Sequence, residues 1–200
     1  MIDLVRKIGP VKIGKDTIIG EDVILGYPGK KKINCLKKEG PYDLPSTIIG
    51  ESSIIRDLTI IYSGTELGKR VKTGHHVLIR EGCSIGDGCT IGSGTIIEDN
   101  CDIGEDVSLQ SGVFLSTGTI IKDDVFIGPN VCITNDKKMD SNIKPVVVEE
   151  GVKIGANSTI LAGVVLEKGS MVGAGSVVCE DVPKNTLVYG NPARKKVIES

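Results

Sequence analysis

The most regular feature of this chain is an aliphatic residue at every sixth position. Counting from Ile49, the register runs Ile49, Ile55, Ile61, Leu67, Thr73, Ile79, Ile85, Ile91, Ile97, Ile103, Leu109, Leu115, Ile121, Ile127 and Ile133. Fourteen of these fifteen positions are Ile or Leu, with no insertion, so chance is a poor explanation. The position four residues later is also restricted: Ser53, Thr59, Thr65, Val71, Val77, Cys83, Cys89, Thr95, Cys101, Val107, Val113, Thr119, Val125 and Val131 are all small or β-branched. A period of six matches neither an amphipathic helix nor a strand that reverses every eight to twelve residues. It predicts short strands joined by corners. Three hexads then close one triangular coil, the aliphatic side chains stack inside, and successive coils pair in parallel about 4.8 Å apart.

The same register recurs at Ile13, Ile19 and Leu25 and again at Val148, Ile154, Ile160, Leu166, Val172 and Val178, so residues 1–200 read as one β-helix domain. Two interruptions break it. Residues of about 26–45 hold Pro28, Gly29, Lys30-Lys31-Lys32, Gly40, Pro41 and Pro45, and about 135–147 lies between Ile133 and Val148, whose spacing of fifteen is not a multiple of six, so both are expected to leave the coil as loops. A short tail is expected over 184–200. Where Gly follows the aliphatic residue, as at Gly86, Gly92, Gly104 and Gly128, it is expected to serve a tight corner with positive φ.

Composition narrows this further. Aromatic residues make up 3% of the chain, with no Trp, so the core has to be aliphatic and narrow. A formal net charge of -2, with Lys and Arg (24) balanced by Asp and Glu (26), argues against nucleic acid as a partner. No apolar run approaches membrane-spanning length and the start lacks a leader pattern, so the expected location is cytoplasmic, with no membrane partner. The six cysteines contain no Cys-x-x-Cys pair. Cys83, Cys89 and Cys101 occupy the small inward position, which makes packing their expected role. His75 and His76 are the only histidines.

Repeats of the form Ile-Gly-x-x-Val-x, followed by Ile154-Gly155-Ala156-Asn157-Ser158-Thr159-Ile160-Leu161-Ala162-Gly163-Val164, Val172-Gly173-Ala174-Gly175-Ser176-Val177-Val178, Asp181-Val182-Pro183 and Gly190-Asn191-Pro192-Ala193-Arg194, resemble the hexapeptide-repeat acyltransferases. The resemblance implies an all-β, left-handed parallel β-helix, against the usual right-handed crossover. It also implies a homotrimer with acyl-CoA in the groove between subunits. Within that superfamily, Lys72-Thr73-Gly74-His75-His76-Val77, the segment from Asp123 to Val131, and Ile133-Thr134-Asn135-Asp136 are most similar to N-acetyltransferases of UDP- or dTDP-linked 3-amino sugars. These would serve surface polysaccharide or glycan synthesis.

Under that resemblance Asn135 orients the amine or the thioester, and Asp136 accepts a proton or positions the sugar. His75, His76 and Arg80 are candidate contacts for nucleotide, phosphate or sugar. The histidines precede Asn135 by 60 and 59 residues, a little over three coils, or about 16 Å along the axis. For acetyl-CoA, the donor, the pattern places contacts at Ala156 and Ala174, near Cys179 and Glu180, and at Arg194, which suits phosphates; Glu180 stands where relatives often carry Lys, and Lys184 is the candidate to compensate. No metal is expected. The chain departs from many amino-sugar enzymes in continuing Lys137-Lys138-Met139-Asp140 where they carry Tyr-Pro-Arg or Asn-Pro-Arg. An O-acetyltransferase is the nearest alternative, but no His follows His76 to act as the base a hydroxyl needs. A γ-type carbonic anhydrase needs three His ligands, more than the sequence holds. A non-catalytic structural β-helix is the alternative of another class.

Overall fold

The computed structural model describes residues 5–38, 40–140 and 142–195. The hexads form strands mostly two residues long, arranged in three sheets of nine, eight and ten strands that are parallel except at the last strand of the third. The first sheet starts with Val5–Lys7, Val23–Tyr27 and Ile60–Tyr62, the second with Val11–Ile13 and Thr47–Ile49, and the third with Ile18–Ile19 and Ile54–Ile55. Every strand of the regular stretch pairs in parallel with those 18 residues away, as in Ile79 with Ile61 and Ile97, which gives three hexads per coil; with its hexapeptide repeats the winding is the left-handed β-helix. Among the described residues there is no α-helix, and no helix long and apolar enough to cross a membrane.

The inward column is closed to solvent: Ile55, Ile61, Ile79, Ile97, Leu115, Ile127, Ile133, Val148, Ile154, Ile160 and Leu166 are fully buried. Thr73, the exception in the register, is fully buried too, and its Oγ1 accepts the Arg56 N–H at 2.9 Å. The small column does more than fill space. Thr59, Thr95 and Ser158 each donate a hydroxyl to the carbonyl 15 residues ahead, in the next coil. Cys83, Cys89 and Cys101 make the same bond through sulfur, to the carbonyls of Glu98, Gly104 and Ser116. Their buried position therefore asks for a small residue, and a thiol there satisfies a carbonyl as a hydroxyl would.

The role expected for the glycine after each aliphatic residue is corrected by the structure. The positive φ falls two residues later, at Gly88 (φ 73°), Asp106 (φ 53°) and Asn130 (φ 56°), while Gly86, Gly104 and Gly128 are not left-handed. Gly86 is required by close approach: a Cβ there would lie 2.5 Å from the carbonyl oxygen of Gly104 in the next coil. Stacked corners leave no room for a side chain at that point.

Both loops leave from the same corner, the one between the first and second sheets. The first separates Val23–Tyr27 from Thr47–Ile49 and holds a single 3-10 turn, Ile33–Lys37. The second separates Cys132–Ile133 from Val147–Val148. They depart from the second and seventh strands of the first sheet, five coil steps or about 24 Å apart. The winding continues to Leu187–Tyr189, past the expected start of the tail, and Arg194–Lys195 then folds back on it antiparallel.

Candidate functional site

Residues 18 apart lie above one another, so the corner between the two loops can be read as ladders. One ladder is Tyr62, Arg80, Glu98, Ser116 and Thr134; its neighbour is Glu81, Asp99, Thr117 and Asn135. At the lower end Arg80 donates through Nη1 to Glu98 Oε2 at 2.8 Å and through Nε to Glu81 Oε2 at 3.2 Å, with its guanidinium 5.7 Å from the Tyr62 ring centre. Burial works against the Arg80 charge, but its hydrogen bonds to Glu81 and Glu98 and their negative charges outweigh it and hold the cation. The first loop is fixed to this cluster by Glu81 Oε1, which accepts the Lys30 N–H at 3.3 Å.

At the upper end Thr117 Oγ1 donates to Asp99 Oδ1 at 2.8 Å, and Asn135 Nδ2 donates to the Thr117 carbonyl at 3.4 Å. Asp136 Oδ1 accepts the N–H groups of Lys138 (3.1 Å) and Asp140 (3.4 Å), the local pairing by which Asp starts a turn. Glu98, Phe114, Ser116, Thr117, Thr134, Asn135 and Asp136 together line a cleft of about 280 Å³. Ser116 is 4% exposed, and its hydroxyl has no hydrogen-bond partner. Such a group costs about 1–3 kcal/mol unless something else supplies the bond.

The structure brings Asn135 and Asp136 together and adds Glu98 and Ser116, which sequence reasoning missed. It does not bring the histidines to them. His75 and His76 are exposed at the corner between the third and first sheets, one full side of the prism from Asn135. His76 takes the left-handed corner position (φ 56°), and His75 Nδ1 lies 3.6 Å from Asp57 Oδ2. Ala156 and Ala174 share that corner, whereas Cys179 and Glu180 follow the last strand of the first sheet, on the Asn135 side. Glu180 and Arg194 meet in a second cleft at the C-terminal end of the coil, lined also by Pro183 and Val188. Lys184 is outside that lining, its N–H donated to Glu167 Oε2 at 2.9 Å. Burial pushes the Cys132 thiol up, and Cys89 up to about 11, so neither offers a thiolate at neutral pH. No group of three metal-ligating side chains forms among the described residues.

Comparison with known proteins completes the picture. Residues 82–117 and 145–180 match the bacterial transferase hexapeptide family, described as six repeats. The crystal structure of a hexapeptide-repeat-containing acetyltransferase from Vibrio cholerae is 30% identical, over 56% of this chain and 72% of that one, with a TM-score of 0.52. The chain belongs to the hexapeptide-repeat acyltransferase superfamily. Two curated members are similar over shorter stretches. A 2,3,4,5-tetrahydropyridine-2,6-dicarboxylate N-acetyltransferase of Halalkalibacterium halodurans is 71% identical over 51 residues, which are 26% of this chain and 21% of that protein. A dTDP-3-amino-3,6-dideoxy-alpha-D-galactopyranose 3-N-acetyltransferase of Aneurinibacillus thermoaerophilus is 48% identical over 50 residues, 25% of this chain and 26% of that protein. The chain thus spans about a quarter or less of the length of these curated relatives.

Proposed function

We propose that this protein is an acetyl-CoA-dependent N-acetyltransferase whose acceptor is the amino group of a nucleotide-linked amino sugar, and that it works in the cytoplasm as a homotrimer. The observation that carries the reading is the cleft at the loop-bearing corner, where two carboxylates, Glu98 and Asp136, and the Asn135 carboxamide line one space beside an aromatic face. Phe114 offers that apolar face for a sugar ring, Asn135 offers hydrogen bonds, and Glu98 attracts an ammonium.

The donor would supply an activated acetyl carbonyl, and the chain has to position an amine and take up protons. An amine arrives charged at neutral pH. Of the two protons it loses as the C–N bond forms and the C–S bond breaks, one ends on the departing sulfur and the other passes through Glu98 to solvent. Asn135 fixes the direction of attack, and proximity provides much of the rate. Small side chains suit the donor at Ala156 and Ala174, and a Cβ built at Gly175 would meet nothing within 4 Å, so that corner is open to a long thin ligand. One chain keeps this corner roughly 15 Å from Asn135, across a full side of the prism. A trimer would set one chain's corner against its neighbour and join them. The third sheet carries exposed Ile18, Phe126, Met171 and Tyr189, apolar area suited to that packing.

A second reading is favoured by the 71% local identity: the acceptor is 2,3,4,5-tetrahydropyridine-2,6-dicarboxylate, the substrate in that relative's name. A panel of this dicarboxylate, UDP- and dTDP-linked amino sugars and their hydroxyl counterparts, with acetyl-CoA and thiol release followed, tests both. Turnover is expected with an amino sugar and to fall at least tenfold in Asn135→Ala at unchanged melting temperature. Turnover with the dicarboxylate alone selects the second reading, and turnover with hydroxyl sugars alone overturns both.

A further inference from the structure

The second loop closes on itself. Lys144 donates its N–H to the Asn135 carbonyl at 2.7 Å, and Gly163 donates to the Lys144 carbonyl at 2.9 Å, so the described residues 136–140 and 142–143 belong to a flap hinged at Asn135 and tied to the next coil. Beneath it is a cavity of about 260 Å³, lined by Lys137, Lys138, Asp140, Asn142 and Lys144, with Ala162 and Gly163 as its floor. Three lysines therefore line one small cavity with a single acidic residue. Among the described residues none of the three has a carboxylate within 4.0 Å, whereas Lys69 and Lys168 on the coil surface are paired with Glu51 and Glu150.

Two of the three lysines have placed side chains. Lys137 Nζ donates to the Cys179 carbonyl at 3.1 Å, two coils on. The stem of Lys144 lies over Gly163, where a Cβ would come within 3.3 Å of it. Bringing like charges together around a cavity is unfavourable, and an anion between them turns the repulsion into attraction. The cavity is below the size that encloses a drug-sized ligand, so it fits a charged group of a larger molecule rather than the whole.

We propose that this cavity is an anion site for a phosphate or diphosphate group, with Lys137, Lys138 and Lys144 as its ligands. Asn135 is the hinge residue, so an occupied cavity stabilises the flap next to the acceptor cleft. The owner of the phosphate, acetyl-CoA or a nucleotide-linked acceptor, rests on the acetyltransferase reading; the site itself does not.

Calorimetric titration with inorganic pyrophosphate tests the site in the wild type, in Lys137→Gln/Lys138→Gln and in Lys69→Gln. The cavity variant is expected to bind at least tenfold more weakly and the Lys69 variant unchanged. Equal affinity in wild type and cavity variant, equal loss in both variants, or no binding to wild type overturns the proposal. Repeating the titration with acetyl-CoA and with dTDP assigns the owner: a tenfold loss for one alone supports the site and names its source. Absence of acetyl transfer to every amine would refute the proposed activity and leave the pyrophosphate result standing.

Discussion

Arg80 is the residue whose surroundings most change its meaning. A lone arginine on a groove invites assignment to a phosphate, but here its guanidinium is already engaged by Glu81 and Glu98, with the Tyr62 ring beside it. Its effect on a substrate passes through Glu98, which it fixes at the cleft margin. Glu98→Gln keeps the size and removes the charge, so the KM for the amine is expected to rise about tenfold while that for acetyl-CoA stays unchanged. Equal change in both constants would show that Glu98 only shapes the cleft. Asn135 could be singled out from its neighbours in sequence, whereas Glu98 is 37 residues away and belongs to no local motif. The signal that would have found it is arithmetic: 98, 116 and 134 differ by 18, one coil each. Ser116 was hidden for another reason, since an unpartnered hydroxyl is a property of packing and leaves no trace in composition.

At the level of the hexad, the two glycine roles have different consequences. Gly86→Ala pushes a methyl into the backbone of the next coil, which neither flexes nor moves aside, and is expected to destabilise by about 3 kcal/mol or more. Gly175→Ala has open space and pays only for its left-handed backbone (φ 68°), about 1–2 kcal/mol. Denaturant titration of both variants checks the order, and equal losses would refute the close-approach explanation. The hexad register was fully legible because one column of aliphatic residues decides it. The first loop was legible only through its prolines, lysines and glycines: Leu25 and Ile49 are 24 residues apart, a multiple of six, so spacing alone would also allow a further wound coil. That segment lacks the run of inward aliphatics a coil needs. The corner shared by both loops was not stressed by any local signal, since it follows from counting strands around the prism.

For the whole molecule, stability is the sum of stacked coils, and the buried thiols make part of it dependent on pH. Burial raises Cys89 from 9.0 to about 11. Its folded pKa is above the unfolded one, so its contribution is complete below pH 9 and is lost as pH rises through 11. Between pH 8 and pH 10.5 this thiol alone accounts for roughly 2 kcal/mol of lost stability. Urea unfolding at both values measures it, and Cys89→Val, which places at this position the residue found in other hexads, is expected to remove that part of the slope. An identical slope in the variant would assign the alkaline loss to other groups.

The uniform rise between coils has an implication for how specificity is graduated. A side chain transplanted by 18 positions moves along the axis by one fixed increment of about 4.8 Å and keeps its bearing. The prism therefore acts as a ruler: substrates of different length can be matched by relocating a single contact by one rung, without redrawing the scaffold that carries it.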